Sequence, residues 1–247
     1  MDWRDEGILL AVRPHGESSA IIETLTRDHG RHSGLVQGGK GTKLSPVLQP
    51  GTQLSLEWRA RLSEHLGNFR IEPVRSRAAA IMADRAALGA LNAIGALLVT
   101  LLPERDPHPD IYDQTLMLAD AMAAGEWDWP ARYALWEVAL LAALGFGLDL
   151  TRCGATGVTT ELTYVSPRTG RAVCRETGGA WADVLLPLPG FLIGQGQPTI
   201  GAVREALRMS GYFLERWACP AFERDALPEA RVRLARLLET HEMTAPG

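Results

Sequence analysis

The residues best suited to chemistry in this chain lie in a short glycine-rich loop. Gly38-Gly-Lys-Gly-Thr-Lys43 contains Lys40 and Lys43, the only two lysines of the sequence. A Walker loop needs Gly-x4-Gly-Lys-Ser/Thr between a strand and a helix, and this loop departs from it in spacing and in the final hydroxyl. The loop therefore predicts contact with a polymeric phosphate backbone, without base reading, rather than a nucleotide site. A solvated hairpin tip is the alternative interpretation.

Arginines are predicted to extend the loop into a basic face. Arg59 and Arg61 alternate with Ala60, so both should point to the same side of a strand end. Stacking aromatic residues are sparse in this part of the chain, which favours an electrostatic mode whose affinity falls with salt. Solvated surface arginines are the alternative. The predicted DNA-contacting residues are Arg13, Arg27, Arg31, Lys40, Lys43, Arg59, Arg61 and Arg70.

The distribution of charge supports a localised basic surface. The net charge of −4 argues against a generic nucleic-acid binder. Residues 1–77, however, carry 11 Lys/Arg against 9 Asp/Glu, whereas residues 78–145 carry 3 against 9. Residues 146–247 are balanced, with 11 of each. The contrast between a positive N-terminal part and an acidic middle favours a specific surface for phosphate.

A second group of candidate side chains surrounds two cysteines. Cys153-Gly-Ala-Thr156 and Cys174-Arg-Glu-Thr177 have the C-x2-C…C-x2-C frame of a zinc ribbon, with threonine at the second position of each pair. Two thiolates cannot complete a tetrahedral structural zinc site, and threonine is not a useful zinc ligand. The pattern predicts a hairpin that keeps the shape of a zinc ribbon without zinc. We therefore expect no cofactor.

The sequence carries no motif for enzymatic chemistry. Its six histidines form no pattern such as H-E-x-x-H, and Cys219 before Pro220 is typical of a packed small hydrophobe.

Three cysteines that cannot all pair, with no signal-peptide pattern, favour a reducing cytoplasm. The uncharged residues 86–103 approach membrane-spanning length, but their weak hydropathy favours a buried core helix and no membrane contact.

The elements that must position the basic loop are predicted to be strands. Short glycine-containing connections separate the first three and are typical of hairpins, and the fourth alternates polar and apolar residues with a period of two. Five short strands with a helical turn at 43–49 favour an OB-fold barrel, although an SH3-like barrel also fits. The predicted strands occupy residues 7–14, 18–26, 31–37, 52–58 and 66–73.

The character of the sequence changes at Arg77, after which helical patterns dominate. The predicted fold class is α+β. It comprises an OB-fold DNA-binding domain at 1–77 and a mainly α-helical domain at 78–247, with a zinc-ribbon-like β-hairpin insertion at about 149–178. Helices are predicted at 78–102, 110–124, 130–146, 199–218 and 228–241.

An ordered set of short motifs extends over nearly the whole chain. The first part contains Gly7-Ile-Leu-Leu…Arg13…Gly16-Glu17, Leu25-Thr26…His29-Gly30 and Gly34…Lys40…Leu44…Leu48-Gln49-Pro50. The second contains Leu144-Gly-Phe-Gly-Leu-Asp149, the Cys153 hairpin with Tyr164-Val-Ser-Pro…Gly170, and Leu185-Leu-Pro-Leu-Pro189…Phe191. In this order the motifs resemble the bacterial DNA repair protein family RecO.

The resemblance implies an OB fold joined to a helical domain with a zinc-finger-like insertion. It implies a non-enzymatic recombination mediator of the RecF pathway, which binds single- and double-stranded DNA and anneals complementary strands. The implied partners are RecR and the single-stranded-DNA-binding protein SSB, and indirectly RecA, which is loaded on SSB-coated DNA. The chain departs from the four-cysteine form of the family at Thr156 and Thr177, which removes zinc from the expected cofactors.

The docking site for the acidic SSB tail is a hypothesis drawn from helical spacing. Arg204, Arg208, Tyr212 and Arg216 recur at intervals that place them on one helix face, where they would form a basic, partly apolar groove. An amphipathic surface without a binding role fits equally well.

For the whole chain, the sequence predicts a cytoplasmic, nucleoid-associated DNA-binding mediator. The alternatives are a protein-protein adaptor that uses its acidic helical region and a degenerate hydrolase.

Overall fold

The computed structural model describes residues 1–62 and 64–243 of the chain. The chain divides into two compact units. The first comprises Met1–Glu126 and Pro228–Arg231, and the second comprises Trp127–Leu227 and the segment from Val232 onward. Strands followed by helices confirm the predicted α+β class. The first unit holds the barrel together with three helices, and the domain boundary at residue 77 stays a prediction.

Five strands close into a barrel in the order β1-β2-β3-β5-β4, which is the arrangement of an OB fold. The predicted OB-fold barrel is therefore confirmed. The largest departure from the predicted bounds is β1, which begins five residues earlier than expected. The strands are β1 (Asp2–His15), β2 (Ser19–Thr26), β3 (Gly30–Val36), β4 (Gln53–Arg59) and β5 (Asn68–Arg75).

The length of β1 allows it to close the barrel. Its first half pairs with β4 and its second half with β2, and Gly7 lies in both ladders, opposite Leu54 and Thr26. A Cβ atom at Gly7 would lie 2.7 Å from Cδ1 of Leu56 and 3.1 Å from the Leu25 carbonyl oxygen, so a side chain here would require its neighbours to shift. A bulge between Leu9 and Ala11 then re-aims the strand toward β2.

The barrel core follows the period-two pattern of the strands. One face of each strand supplies fully buried apolar side chains, among them Leu9, Ile22, Leu54 and Leu56. Trp58 is also buried, and its Nε1–H donates a 3.0 Å hydrogen bond to the Leu66 carbonyl. A buried indole therefore has its polar atom satisfied, as its burial requires.

Three helices of the first unit follow the barrel: α1 (Ala78–Ile81), α2 (Arg85–Leu101) and α3 (Pro109–Ala124). The Asp84 carboxylate accepts a 2.7 Å bond from the Ala86 backbone N–H and caps α2. Much of α2 is buried, as predicted for a core helix. Among the residues described, no helix is both long and apolar enough to span a bilayer.

The connection between α2 and α3 lies against the start of β3. Glu104 forms a parallel bridge with Arg31, and the Arg105 N–H donates a 2.8 Å bond to the Arg31 carbonyl. Gly30 has φ +68°, and a Cβ there would lie 2.3 Å from the Asp106 carbonyl oxygen. This close approach holds Arg105 beside the barrel.

The second unit is helical with a small sheet. Strands β6 (Leu162–Val165) and β7 (Ala172–Cys174) form an antiparallel hairpin, and β8 (Leu186–Pro187) pairs with β6 as a third strand. The zinc-ribbon-like shape of the insertion stays a prediction. The helices are α4 (Trp129–Ala143), α5 (Arg175–Gly178), α6 (Ile200–Phe213) and α7 (Cys219–Ala221); α8 (Glu229–Glu239) begins at residues of the first unit.

Replacing Gly30 by alanine tests the contact between β3 and the α2–α3 connection. We expect Gly30→Ala to lower the free energy of unfolding by about 3 kcal/mol, because it adds a backbone clash to a left-handed conformation. Gly16→Ala is the matched control, since Gly16 also has positive φ but nothing lies near its added Cβ; it should cost about 1 kcal/mol. Urea unfolding measures both, and equal losses would contradict the clash.

Candidate nucleic-acid interface

The glycine-rich loop is fixed at one end and open at the other. The Lys40 backbone N–H donates a 3.0 Å bond to the Ser18 carbonyl, and its Nζ lies 3.2 Å from the Gly16 carbonyl oxygen. Gly39 is buried, and a Cβ there would lie 2.8 Å from the Ala20 Cβ. Lys43 is exposed. The loop therefore packs on the β1–β2 turn and leaves Lys43 in solvent.

An open groove of about 420 Å³ follows the seam between β3 and β5. These strands pair in parallel at a single position, Leu35 opposite Asn68, so the barrel wall is incomplete there. Leu44, which follows Lys43, contributes to the groove from the loop side, and Phe69 and Ile71 contribute from β5. The groove exists because the closing strand pair is short.

Arginines of β4 and β5 line this seam groove. Arg59 and Arg70 both belong to its wall, and Glu57 lies between them, opposite Arg70 in the strand register. The hydrogen bond that Arg59 donates lowers the pKa of the Glu57 carboxyl below its ordinary value. Arg4 approaches the same carboxylate at 3.7 Å. Glu72 lines an adjoining cavity with Arg4, Glu57 and Arg70, so three guanidinium groups face two carboxylates and leave an excess of one positive charge.

The basic surface continues past Arg59. A shallow cavity of about 500 Å³ is lined by Arg59, Arg61 and Asn68, together with Met1 and Asp2. Arg61 is exposed. Of the predicted DNA-contacting residues, the structure thus brings Arg59, Arg61 and Arg70 together at one face, and Lys43 immediately precedes the groove residue Leu44.

The other three predicted arginines hold acidic side chains of the first unit. Arg13 and Arg31 both bond to Glu23, at 2.8 and 2.7 Å. Arg31 also donates to the Leu102 carbonyl and to Glu104, and only 11% of its side chain is exposed. Arg27 makes two bonds to the Asp113 carboxylate, which raises the pKa of its guanidinium. Their role in DNA contact stays a prediction, and Arg31 has the least surface to offer.

Sequence reasoning missed the aromatic end of the barrel. Trp3, His32, Trp58 and Phe69 contact one another there, with ring centroids between 4.8 and 6.0 Å apart. Burial lowers the pKa of His32, whose Nδ1 is 3.0 Å from the Ser33 carbonyl oxygen. Trp3 is the only apolar residue among residues 2–6, so a period-two pattern gave no signal for this part of β1.

The four residues of the zinc-ribbon frame do converge. Cys174 Sγ lies 3.0 Å from the Thr177 hydroxyl and 3.8 Å from the Thr156 hydroxyl, while Cys153 Sγ lies 3.7 Å from Thr177. Burial acts to raise the pKa of the Cys153 thiol, but hydrogen bonds from the Thr156 hydroxyl and backbone N–H groups outweigh it and lower the pKa. The arrangement has the geometry of a four-ligand cluster with two ligands replaced.

These side chains do not fit a structural zinc ion. Two thiols and two hydroxyls replace the four thiolate or imidazole ligands that such a site requires. Within the described ranges, no group of three or more His, Cys, Asp or Glu side chains is arranged to hold a metal. Hydrogen bonds between sulfur and hydroxyl hold the frame together instead.

The predicted SSB-tail residues are divided by the structure. Arg204 donates to the Leu238 and Glu239 carbonyls at 2.9 and 2.6 Å, so its guanidinium caps the end of α8. Arg208 and Arg216 are exposed and Tyr212 is half-buried. A π-helical turn at Leu214–Ala218 widens the helix between Tyr212 and Arg216, which alters the spacing on which the prediction relied.

The barrel and its groove define a class: an OB-barrel protein with a basic seam groove, whose chain continues into helices. Family profiles agree with both parts. Residues 1–77 match the profile "Recombination protein O N terminal", and residues 82–217 match "Recombination protein O C terminal". The chain belongs to the RecO family of DNA repair proteins, which confirms the resemblance inferred from the sequence.

Similar proteins cover the chain from end to end. The DNA repair protein RecO of Cereibacter sphaeroides is 53% identical over 96% of this chain and 98% of the relative. The RecO protein of Dinoroseobacter shibae is 52% identical over the same shares. That of Jannaschia is 49% identical over 97% of each chain. These relatives support a role in DNA repair and recombination.

Restoring the missing ligands tests the cysteine–threonine cluster. We expect Thr156→Cys/Thr177→Cys to bind about one equivalent of Zn²⁺, because four converging thiolates complete a tetrahedral site. The wild-type protein should hold none after dialysis, as measured by elemental analysis. Thr159→Cys/Thr160→Cys adds two exposed cysteines outside the cluster and serves as the control. Stoichiometric zinc on the wild type would contradict our interpretation of the hairpin.

Proposed function

We propose that this chain binds single- and double-stranded DNA through the seam groove and its continuation along Arg61. The observation that supports the proposal is the placement of Arg59 and Arg70 in the wall of one open groove, beside the loop that carries Lys43. Guanidinium and ammonium groups neutralise phosphates without reading base edges. The proposal therefore implies sequence-independent affinity.

Annealing follows from the same electrostatics. Two DNA strands repel each other through their phosphates, and a basic surface that neutralises one strand lowers that repulsion. Complementary bases can then pair while the protein remains in contact with the backbone only. The proposed mechanism requires no bond to be made or broken by the protein, which is consistent with a non-enzymatic mediator.

The cellular role is proposed at the level of the family. The chain would act in the cytoplasm on nucleoid DNA as a recombination mediator that works with RecR and helps load RecA on SSB-coated strands. For the SSB tail, the exposed residues Arg208 and Arg216 with Tyr212 remain the proposed contacts. Arg204 would support them indirectly, since it already bonds to the end of α8.

Removing the groove arginines tests the DNA proposal. Arg59→Ala/Arg70→Ala should weaken binding to any sequence to a similar degree and reduce the slope of log K against log salt by about 2, one per lost phosphate contact. Annealing of complementary strands should slow in parallel. Fluorescence anisotropy at two or more salt concentrations measures the slope.

The control removes the same charge elsewhere. Arg85→Ala/Arg168→Ala replaces two exposed arginines outside the groove and should leave affinity and slope close to wild type. Equal losses in both double variants would show that net charge, and not the groove, determines binding. A wild-type protein without any effect on DNA would favour the alternative of a protein-protein adaptor.

A further inference from the structure

A second cavity, distinct from the seam groove, opens at the end of the barrel where β1 begins. Its volume is about 550 Å³, and its walls come from β1, the β2–β3 turn and the α2–α3 connection. The residues that matter for its chemistry are Trp3, His29, Trp58, Arg105 and the carboxylates Asp2 and Asp28. We call this cavity the barrel-end pocket.

Three rings form a column beside the barrel-end pocket. Trp58 and Trp3 are stacked with centroids 5.7 Å apart, and Trp3 and His29 are stacked at 4.1 Å with only 10° between their planes. Trp3 has a ring on each side and offers no open face. His29 ends the column, and 33% of its side chain is exposed. The imidazole is therefore the platform on which a further planar ring can stack.

The imidazole is held in place before any ligand arrives. Its Nδ1 lies 2.9 Å from Oδ2 of Asp5, whose side chain is only 8% exposed. The His29 backbone N–H donates to the Thr26 hydroxyl at 3.2 Å. A ring fixed in this way loses little conformational freedom when a ligand stacks on it, which favours binding.

Arg105 lines the same pocket and carries one unpaired donor. Its Nη2 donates to the His65 carbonyl at 3.0 Å, whereas its Nε is buried and makes no hydrogen bond to the part of the chain that is described. The residue also has φ +62°, a strained conformation for a side chain of this size. A ligand with acceptor atoms on its edge suits the Arg105 guanidinium, which carries hydrogen-bond donors and no acceptor.

The charge of the pocket distinguishes it from the seam groove. Asp2 and Asp28 oppose Arg105, so the walls lack the positive excess that attracts phosphate. A planar ring that is uncharged and carries acceptors on its edge matches the stack and the Arg105 donor together. A nucleobase has these three properties.

The barrel-end pocket is continuous with the basic surface. It shares Met1 and Asp2 with the shallow cavity of Arg61, and that cavity shares Arg59 and Asn68 with the seam groove. A single strand whose phosphates follow the arginines would thus reach the pocket at the end of its path. The connection places a base-sized, aromatic cavity next to a phosphate-binding surface.

We propose that the barrel-end pocket captures one unstacked base of single-stranded DNA, with the base on the His29 imidazole and its edge acceptors toward the Arg105 guanidinium. The proposal rests on the proposed function of the seam groove and adds a preference to it. A base in a duplex is paired and stacked, and extruding it costs free energy. The pocket therefore favours single strands, whereas the groove alone binds both forms.

The test compares three ligands on the full-length protein by anisotropy: oligothymidylate, an abasic strand of the same length, and a duplex. Wild type should bind oligothymidylate about tenfold more tightly than the abasic strand, because stacking of one base contributes that much. His29→Ala should abolish this difference and leave the abasic strand and the duplex unchanged. His29→Phe restores a stacking ring and should recover the preference.

The outcomes separate the pocket from the groove. His15→Ala, an exposed histidine outside the pocket, is the control and should keep the preference. Equal binding of oligothymidylate and abasic strand by wild type would overturn the pocket while the groove stands. An equal loss of affinity for all three ligands in His29→Ala would also overturn it. Affinities unchanged by His29→Ala would overturn it as well and would favour a peptide side chain as the occupant of the pocket. Binding of none of the ligands by wild type would overturn both proposals.

Discussion

Closure of the barrel through β1 is the constraint on which the candidate site depends. One strand of fourteen residues must complete two ladders, with β4 along its first half and with β2 along its second. Gly7 lies in both ladders and packs closely against Leu56 and Leu25. The first half of β1 brings Arg4 to Glu57 on the outside and Trp3 to Trp58 on the inside. The basic face and the aromatic end therefore come from alternate residues of the same short segment.

The short pairing between β3 and β5 creates the groove to which we assign DNA binding. Strands β3 and β5 meet at one parallel pair, which leaves a groove where apolar core residues and surface arginines lie side by side. Other arginines of the first unit form ion pairs with carboxylates of the same unit. Arg31 and Arg13 neutralise Glu23, and Arg27 bonds to Asp113 of α3. Near the seam, by contrast, the guanidinium groups of Arg4, Arg59 and Arg70 outnumber the carboxylates of Glu57 and Glu72.

The sequence was sufficient for the type and order of the elements but not for the roles of single charges. Period-two alternation and glycine-containing turns predicted five strands, and the family motifs selected the OB barrel. The same patterns cannot show that Arg31 is buried against Glu104 or that Arg204 caps α8. Glu104 lies 73 residues from Arg31 in the sequence, and the carbonyls that Arg204 contacts lie 34 and 35 residues from it. The β1 extension was missed because four of the five residues at 2–6 are charged, so the apolar alternation does not reach the N-terminus. The ring column was missed because it combines residues from two strands and a turn.

In our proposal the barrel of the first unit is the DNA-contacting surface, with phosphates along the seam and a base at the aromatic end. Ultraviolet cross-linking of oligothymidylate to the full-length protein, read by peptide mass spectrometry, tests it most directly. We expect cross-links in the peptides that carry the start of β1, the 38–44 loop and the β4–β5 pair. Cross-links confined to residues 127–243 would contradict the account.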